Sequence, residues 1–209
     1  NKLLVLVDGR SVYTPLYSGV FWSNQAVLME DVERIEIVRG PGATVWGANA
    51  FNGVIIVISK SSRDSQGTLV QGGGGTHEQA FGALRFGGSL GDDAHYRAYG
   101  QYFNRDDFTS GADDWSGGQA GFRSDFKIGD KSDFTLSGDW YRVDANDRQT
   151  QVSFAGLPPA LTTFDAATLQ SGMNILGRWE YALSDSAKFR AQVYWNRTDF
   201  DSPYLEEVR

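Results

Sequence analysis

Asp31-Val32-Glu33-Arg34-Ile35-Glu36-Ile37-Val38-Arg39-Gly40-Pro41-Gly42-Ala43-Thr44-Val45-Trp46-Gly47-Ala48-Asn49-Ala50-Phe51-Asn52-Gly53-Val54-Ile55-Ile56-Val57-Ile58-Ser59-Lys60 reads as two strands around a glycine-rich break. Arg34 to Arg39 alternates as a strand, Gly40-Pro41-Gly42 interrupts it, Ala43 to Gly47 fits one helical turn, and Val54 to Ile58 is a second, wholly apolar strand. Upstream, Leu3 to Val7 is another short apolar strand, closed by the turn pair Asp8-Gly9. Tyr13 to Trp22 is aromatic and small-residue rich without either periodicity, so it reads as an exposed loop. A short helix is expected over Gln25 to Val32. This block is α+β.

Past Lys60 the pattern changes to period-two alternation in segments of about ten to thirteen residues, close to the length of a tilted membrane strand. In Gln119 to Ile128, Ala120, Phe122, Ser124, Phe126 and Ile128 share one face, while Gln119, Arg123, Asp125 and Lys127 share the other. The same split recurs in Ile175 to Leu183 and in Lys188 to Asn196, and the region holds about seven candidate strands. Connections alternate: Gly91 to Asp93, Gly129 to Ser132 and Ser184 to Ala187 are short, whereas Phe103 to Ser116 and Ala145 to Ser171 read as long polar loops. Short turns on one rim and long loops on the other are the arrangement of outer-membrane barrels. Aromatics near the strand ends, Tyr96, Phe126, Phe134, Trp140, Trp179 and Phe189, suit interfacial girdles.

Composition narrows the function classes. A net charge of -7 over 209 residues gives no basic footprint, which argues against nucleic acid as a partner. Without cysteine, neither disulfides nor thiolate metal sites can form. The longest wholly apolar runs fall far short of the roughly 20 residues of a membrane-spanning helix. His77 and His95 are the only histidines and sit in unrelated contexts, so no triad, cofactor site or metal spacing emerges, and an enzyme is not expected. Asp106, Asp107, Asp113 and Asp114 are carboxylates of the kind calcium favours, although such residues more often solvate a loop. Gly40 to Gly47 lacks the Lys-Ser/Thr of a phosphate loop, and Pro41 removes a backbone donor. Gly72 to Gly75 marks a strand whose neighbours approach closely, such as wall against plug.

The opening stretch resembles the plug signature of TonB-dependent outer-membrane receptors. That pattern runs acidic-x-x-Arg-Ile-Glu-x-x-Arg-Gly-Pro, a small turn, an aromatic-Gly pair, a small-residue loop and Gly-Val-Ile-x-x-x-Thr/Ser-Lys, and Asp8-Gly9 sits where the family has its own Asp-Gly turn. The resemblance covers residues 3 to 60 by motif and the remainder by architecture. It implies a mainly β protein: the C-terminal half of a plug domain over residues 1–62, then over 66–209 about seven of the roughly 22 strands of a transmembrane antiparallel β-barrel. It further implies a chain that continues beyond both ends, with the TonB-binding segment upstream.

The family's activity is energised import of an iron chelate (siderophore or haem) or cobalamin, with TonB, ligand and outer-membrane lipid as partners. Arg34, Glu36 and Arg39 are expected to pair with charges in the barrel lumen, and Asp8, Gly9, Gly40, Pro41, Gly47 and Gly53 to shape the plug. Ligand contact is expected from apical plug loops, where Tyr13, Tyr17, Phe21, Trp22, Trp46 and Asn49 combine aromatic faces with polar handles. A passive porin would have the strands without the plug signature. A soluble β-rich binding module would bury the apolar faces in a core of its own.

Overall fold

Asp8 and Gly9 take φ of 51° and 82°, the paired left-handed values of a type I′ turn, and fold β1 (Leu3–Val7) back onto β2 (Arg10–Ser11). The computed structural model describes residues 3–14, 19–25, 27–40, 42–47, 49–107, 113–153 and 160–202. β1 runs parallel to β4 (Gly53–Ser59), which pairs antiparallel with β3 (Val32–Arg39), giving a four-stranded sheet of order β2-β1-β4-β3. The expected helical turn is present as α1 (Ala43–Trp46). Leu4, Ala50, Val54 and Ile56 bury the small core of this unit. The described residues over 25–32 form no α-helix: Met29–Asp31 is a 3-10 turn there, and a second, Trp22–Asn24, precedes the span. Eight residues are few for a helix in water, and the apolar ones here are contiguous rather than spaced by three and four.

A 3-10 turn at Ser62–Ser65 leads into the second sheet, a plain antiparallel meander of seven strands. They are β5 (Gly67–Gly73), β6 (Glu78–Ser89), β7 (Ala94–Arg105), β8 (Trp115–Ile128), β9 (Ser132–Ser153), β10 (Ala160–Ser184) and β11 (Ala187–Asp201). Turns at 90–93, 129–131 and 185–186 are short and share one rim, which outer-membrane barrels turn to the periplasm; the 106–114 connection lies on the opposite, outer rim.

On the face away from the plug, rings cluster near the short turns. Phe126 meets Phe134 at 6.3 Å, and Trp179 meets Phe189 at 5.7 Å and Tyr181 at 6.0 Å. From Ser132 to Trp140 and from Ala187 to Trp195, about nine residues each, this face carries no charge, which matches one tilted bilayer crossing. Beyond it come the ion pairs Arg142–Asp144 and Arg197–Asp199. The polar stretch 145–171, expected as a loop, is instead mostly strand. β9 and β10 continue past their neighbours as a two-stranded ribbon, with Arg148 bonded to Asp165 and Thr150 to Thr163. No lipid demands apolar side chains at that height, so the alternation disappears while the ladder persists.

The opposite face looks onto the plug, and its residues line up in transverse rows across the strands. One row is Tyr99, Gly121, Asp139, Asn174 and Asn196; the next outward is Gln101, Gln119, Tyr141, Gly172 and Thr198. Large rings lie flat over a glycine on the neighbouring strand. A Cβ on Gly121 would stand 2.7 Å from the Tyr99 hydroxyl, one on Gly117 2.8 Å from the Phe103 ring, and one on Gly172 2.5 Å from the Tyr141 hydroxyl. At Gly73 the close neighbour is likewise a ring of the wall, Phe81 at 2.6 Å, rather than the plug. Gly87 is where the wall meets the segment leading out of the plug: a Cβ there would clash with the Ser65 carbonyl oxygen.

Candidate functional site

The plug and wall meet along a seam built from charges far apart in sequence. Asp31, at the end of a 3-10 turn, is 3% exposed and accepts a 2.5 Å hydrogen bond from Arg85 Nη1 of β6. Arg97 of β7, 5% exposed, places Nε 3.3 Å from the other Asp31 oxygen, while its Nη1 donates to the Lys60 carbonyl and to Ser65 Oγ. Asp31 Oδ2 and the Nε atoms of Arg85 and Arg97 are buried without hydrogen-bond partners among the described residues. The arrangement is therefore a tight electrostatic clamp with incomplete hydrogen bonding.

A second cluster sits at the Asp8-Gly9 turn. The Asp8 carboxylate accepts from the Ser59 amide at 2.8 Å and the Ser59 hydroxyl at 2.6 Å, which ties β1 to β4 within the plug. It also lies 3.9 Å from Arg123 of β8, and the Asp8 carbonyl accepts from Arg178 of β10. Asp125 gathers the plug's exit segment: the Ser62 amide and the Ser61 and Ser62 hydroxyls all donate to its Oδ2, and Arg123 pairs with it at 2.9 Å. Higher on the wall, Asn24 donates to Tyr141 and Gln170, and Phe21 stacks on Phe200 with centroids 5.2 Å apart.

Two cavities open along the seam. One of about 420 Å³ has a mixed polar and apolar lining and runs between Asp31 and Arg97 on the inner side and Tyr13 and Phe21 on the outer. The other, of about 590 Å³, lies between Trp22 and Met29 of the plug and Phe81, Phe103 and Trp115 of the wall. At its mouth the Arg105 guanidinium covers Phe103 and Trp115 at 4.6 and 4.3 Å and pairs with Glu78 at 3.0 Å.

Of the residues expected at a ligand site, Tyr13 and Phe21 thus border the first cavity and Trp22 the second. Tyr17 lies outside the described residues, as does Pro41. Trp46 and Asn49 are exposed at the α1 end of the plug sheet, opposite the Asp8 turn. Arg34 bonds to Glu33 and Glu36 of its own strand at 2.6 and 2.7 Å, and the Glu36 bond chiefly raises its pKa. Arg39 is exposed at the end of β3. Gly40, Gly47 and Gly53 all take left-handed φ, of 92°, 89° and 150°. The seam's own anchors, Asp31, Arg85, Arg97 and Asp125, were not singled out from the sequence as plug–wall partners. Asp31 opens the signature and Asp125 sits on the charged strand face, yet neither position reveals its partner.

Residues 1–54 match the family model described as the TonB-dependent receptor plug domain. The chain carries a TonB-dependent receptor plug domain. Among curated relatives, the receptor is 37% identical over 79 residues to the vitamin B12 transporter BtuB of Vibrio vulnificus, covering 38% of this chain and 12% of that protein. It is 32% identical over 129 residues to the ferric enterobactin receptor of Pseudomonas aeruginosa, covering 55% and 17%. This receptor chain therefore spans less than a fifth of the length of those relatives. Its fold superposes on the siderophore receptor PiuA from Acinetobacter baumannii with a TM-score of 0.70 at 16% identity, covering 95% of this chain and 29% of the other. The ferric-catecholate import receptor Fiu from E. coli K12 gives 0.52 at 14% identity, covering 93% and 42%. The seven-stranded sheet is accordingly part of an outer-membrane β-barrel, and the receptor resides in the Gram-negative outer membrane.

Proposed function

We propose that the complete receptor imports a scarce solute across the outer membrane, an iron chelate such as a siderophore or haem, or cobalamin, with energy delivered through TonB. The observation that carries this reading is the plug itself: a signature-bearing sheet clamped by buried ion pairs against a polar wall, which must shift before anything passes. The relatives' names divide between vitamin B12 and ferric enterobactin, so the solute class spans both. We assign first contact to the outward plug loops, to Tyr13, Phe21 and Trp22 beside the two cavities, together with Tyr17, Trp46 and Asn49. In the same reading Arg34, Glu36 and Arg39 meet charges on strands outside this chain.

Binding of cyanocobalamin, ferric enterobactin and haem to the complete receptor tests the proposal. One of them is expected to bind saturably and to be taken up only in TonB-bearing cells. Replacing Phe21 and Trp22 together by alanine is expected to weaken that binding about tenfold or more. Unchanged affinity removes the two aromatics from the site, and uptake that persists without TonB overturns the importer.

A further inference from the structure

The cavity between Asp31 and Tyr13 is lined by one carboxylate that no described residue of the seam uses. Asp139 points inward from the middle of β9 and has no hydrogen-bond or ion-pair partner among the described residues. Its neighbours in the transverse row are Gly121, over which the Tyr99 ring lies, and Asn174; one row outward stands Tyr141. A carboxylate that lines one cavity with two phenol rings is the chemistry of an ammonium site, with charge attraction from the one and aromatic faces from the others. At the far end of the same row, Asn196 accepts a 3.1 Å hydrogen bond from Arg10, whose guanidinium faces no carboxylate among the described residues. Asp139 and Asn196 are separated by two strand spacings, about 10 Å. Asp139, Arg10 and the two phenols all line the same cavity.

The remaining charges at the cavity are already committed. Asp8 holds Ser59 and Arg123, Asp31 holds Arg85 and Arg97, and Arg197 pairs with Asp199, so among the described residues one unpaired anion and one cation on a single amide partner are left lining the space. Asn24 and Gln119 add amide groups between them, and the volume of about 420 Å³ is that of a small-molecule site.

We infer that this cavity is an inner solute site, distinct from the outer mouth, that takes a small zwitterion with its ammonium group at Asp139 and its anionic end at Arg10. The stacked rings of Phe21 and Phe200 line the outer end of this site. It goes beyond the importer reading and depends on neither cargo nor TonB.

The test is calorimetric titration of the complete receptor in detergent with ε-aminocaproate, whose five methylenes separate an ammonium from a carboxylate. Hexylamine and hexanoate serve as the singly charged probes. Saturable binding of ε-aminocaproate is expected, weakened about tenfold or more by Asp139→Asn and independently by Arg10→Gln, with both analogues binding more weakly than the zwitterion. Asp139→Glu is expected to retain binding, and heat-modifiable gel mobility verifies that each variant is folded. Absence of saturable heat with the folded wild type, affinity unchanged from the wild type in either charge-neutralised variant, or binding of the single-charge analogues as tight as that of the zwitterion overturns the inference. Because no import is measured, failure here leaves the importer standing, and loss of uptake leaves the inner site standing.

Discussion

Two guanidinium groups from neighbouring wall strands converge on the Asp31 carboxylate, a group that water barely reaches. Removing it strands Arg85 and Arg97 as buried charges, so Asp31→Ala is expected to destabilise plug seating by about 3–5 kcal/mol. Denaturant-dependent protease cleavage of the plug in the complete receptor measures this, and combining Asp31→Ala with Arg97→Met is expected to restore part of the loss. None of this was legible beforehand. Asp31 is the acidic residue that opens the family signature, but its partners lie 54 and 66 positions away, and only the folded chain brings them together. Arg34 shows the opposite case: the alternation of Arg34 and Glu36 put them on one face, and there they bond to each other.

Elements were legible where one environment acted on every second residue. The strands from β6 to β11 show this, because lipid on one side and a polar plug on the other impose opposite demands on alternating positions. The plug strands β1, β3 and β4 were readable from apolar runs and glycine breaks. The 3-10 turns around Asn24 and Asp31 were not, since each exists to deliver one polar side chain to the wall and carries no period of its own. Close backbone approach was equally hidden at Gly87. Gly87→Ala is expected to push the Ser62–Ser65 turn off the wall, because the new methyl would meet the Ser65 carbonyl. Proteolysis at residues 60–66 should then accelerate severalfold, whereas an unchanged cleavage rate would show that this turn yields without leaving Asp125.

Across the whole molecule, the sharpest division lies between strand that faces lipid and strand that stands in water. Val193, 77% exposed, sits midway along the uncharged face of β11, whereas Val152 occupies the extension of β9 beyond its neighbours. Val193→Lys is expected to cost about 2–4 kcal/mol in unfolding from lipid, and Val152→Lys well under about 1. Equal losses at both positions would mean that the bilayer edge lies elsewhere. That edge could be expected from strand length and aromatic placement, but the ribbon above it could not, since its ladder rests on backbone bonds and pairs such as Thr150 with Thr163. With about ten residues of strand beyond Arg142, inclined as barrel strands are, the ribbon tip stands roughly 25 Å clear of the hydrocarbon. Along this pair of strands, anything approaching the cell from outside meets polar protein before it meets lipid.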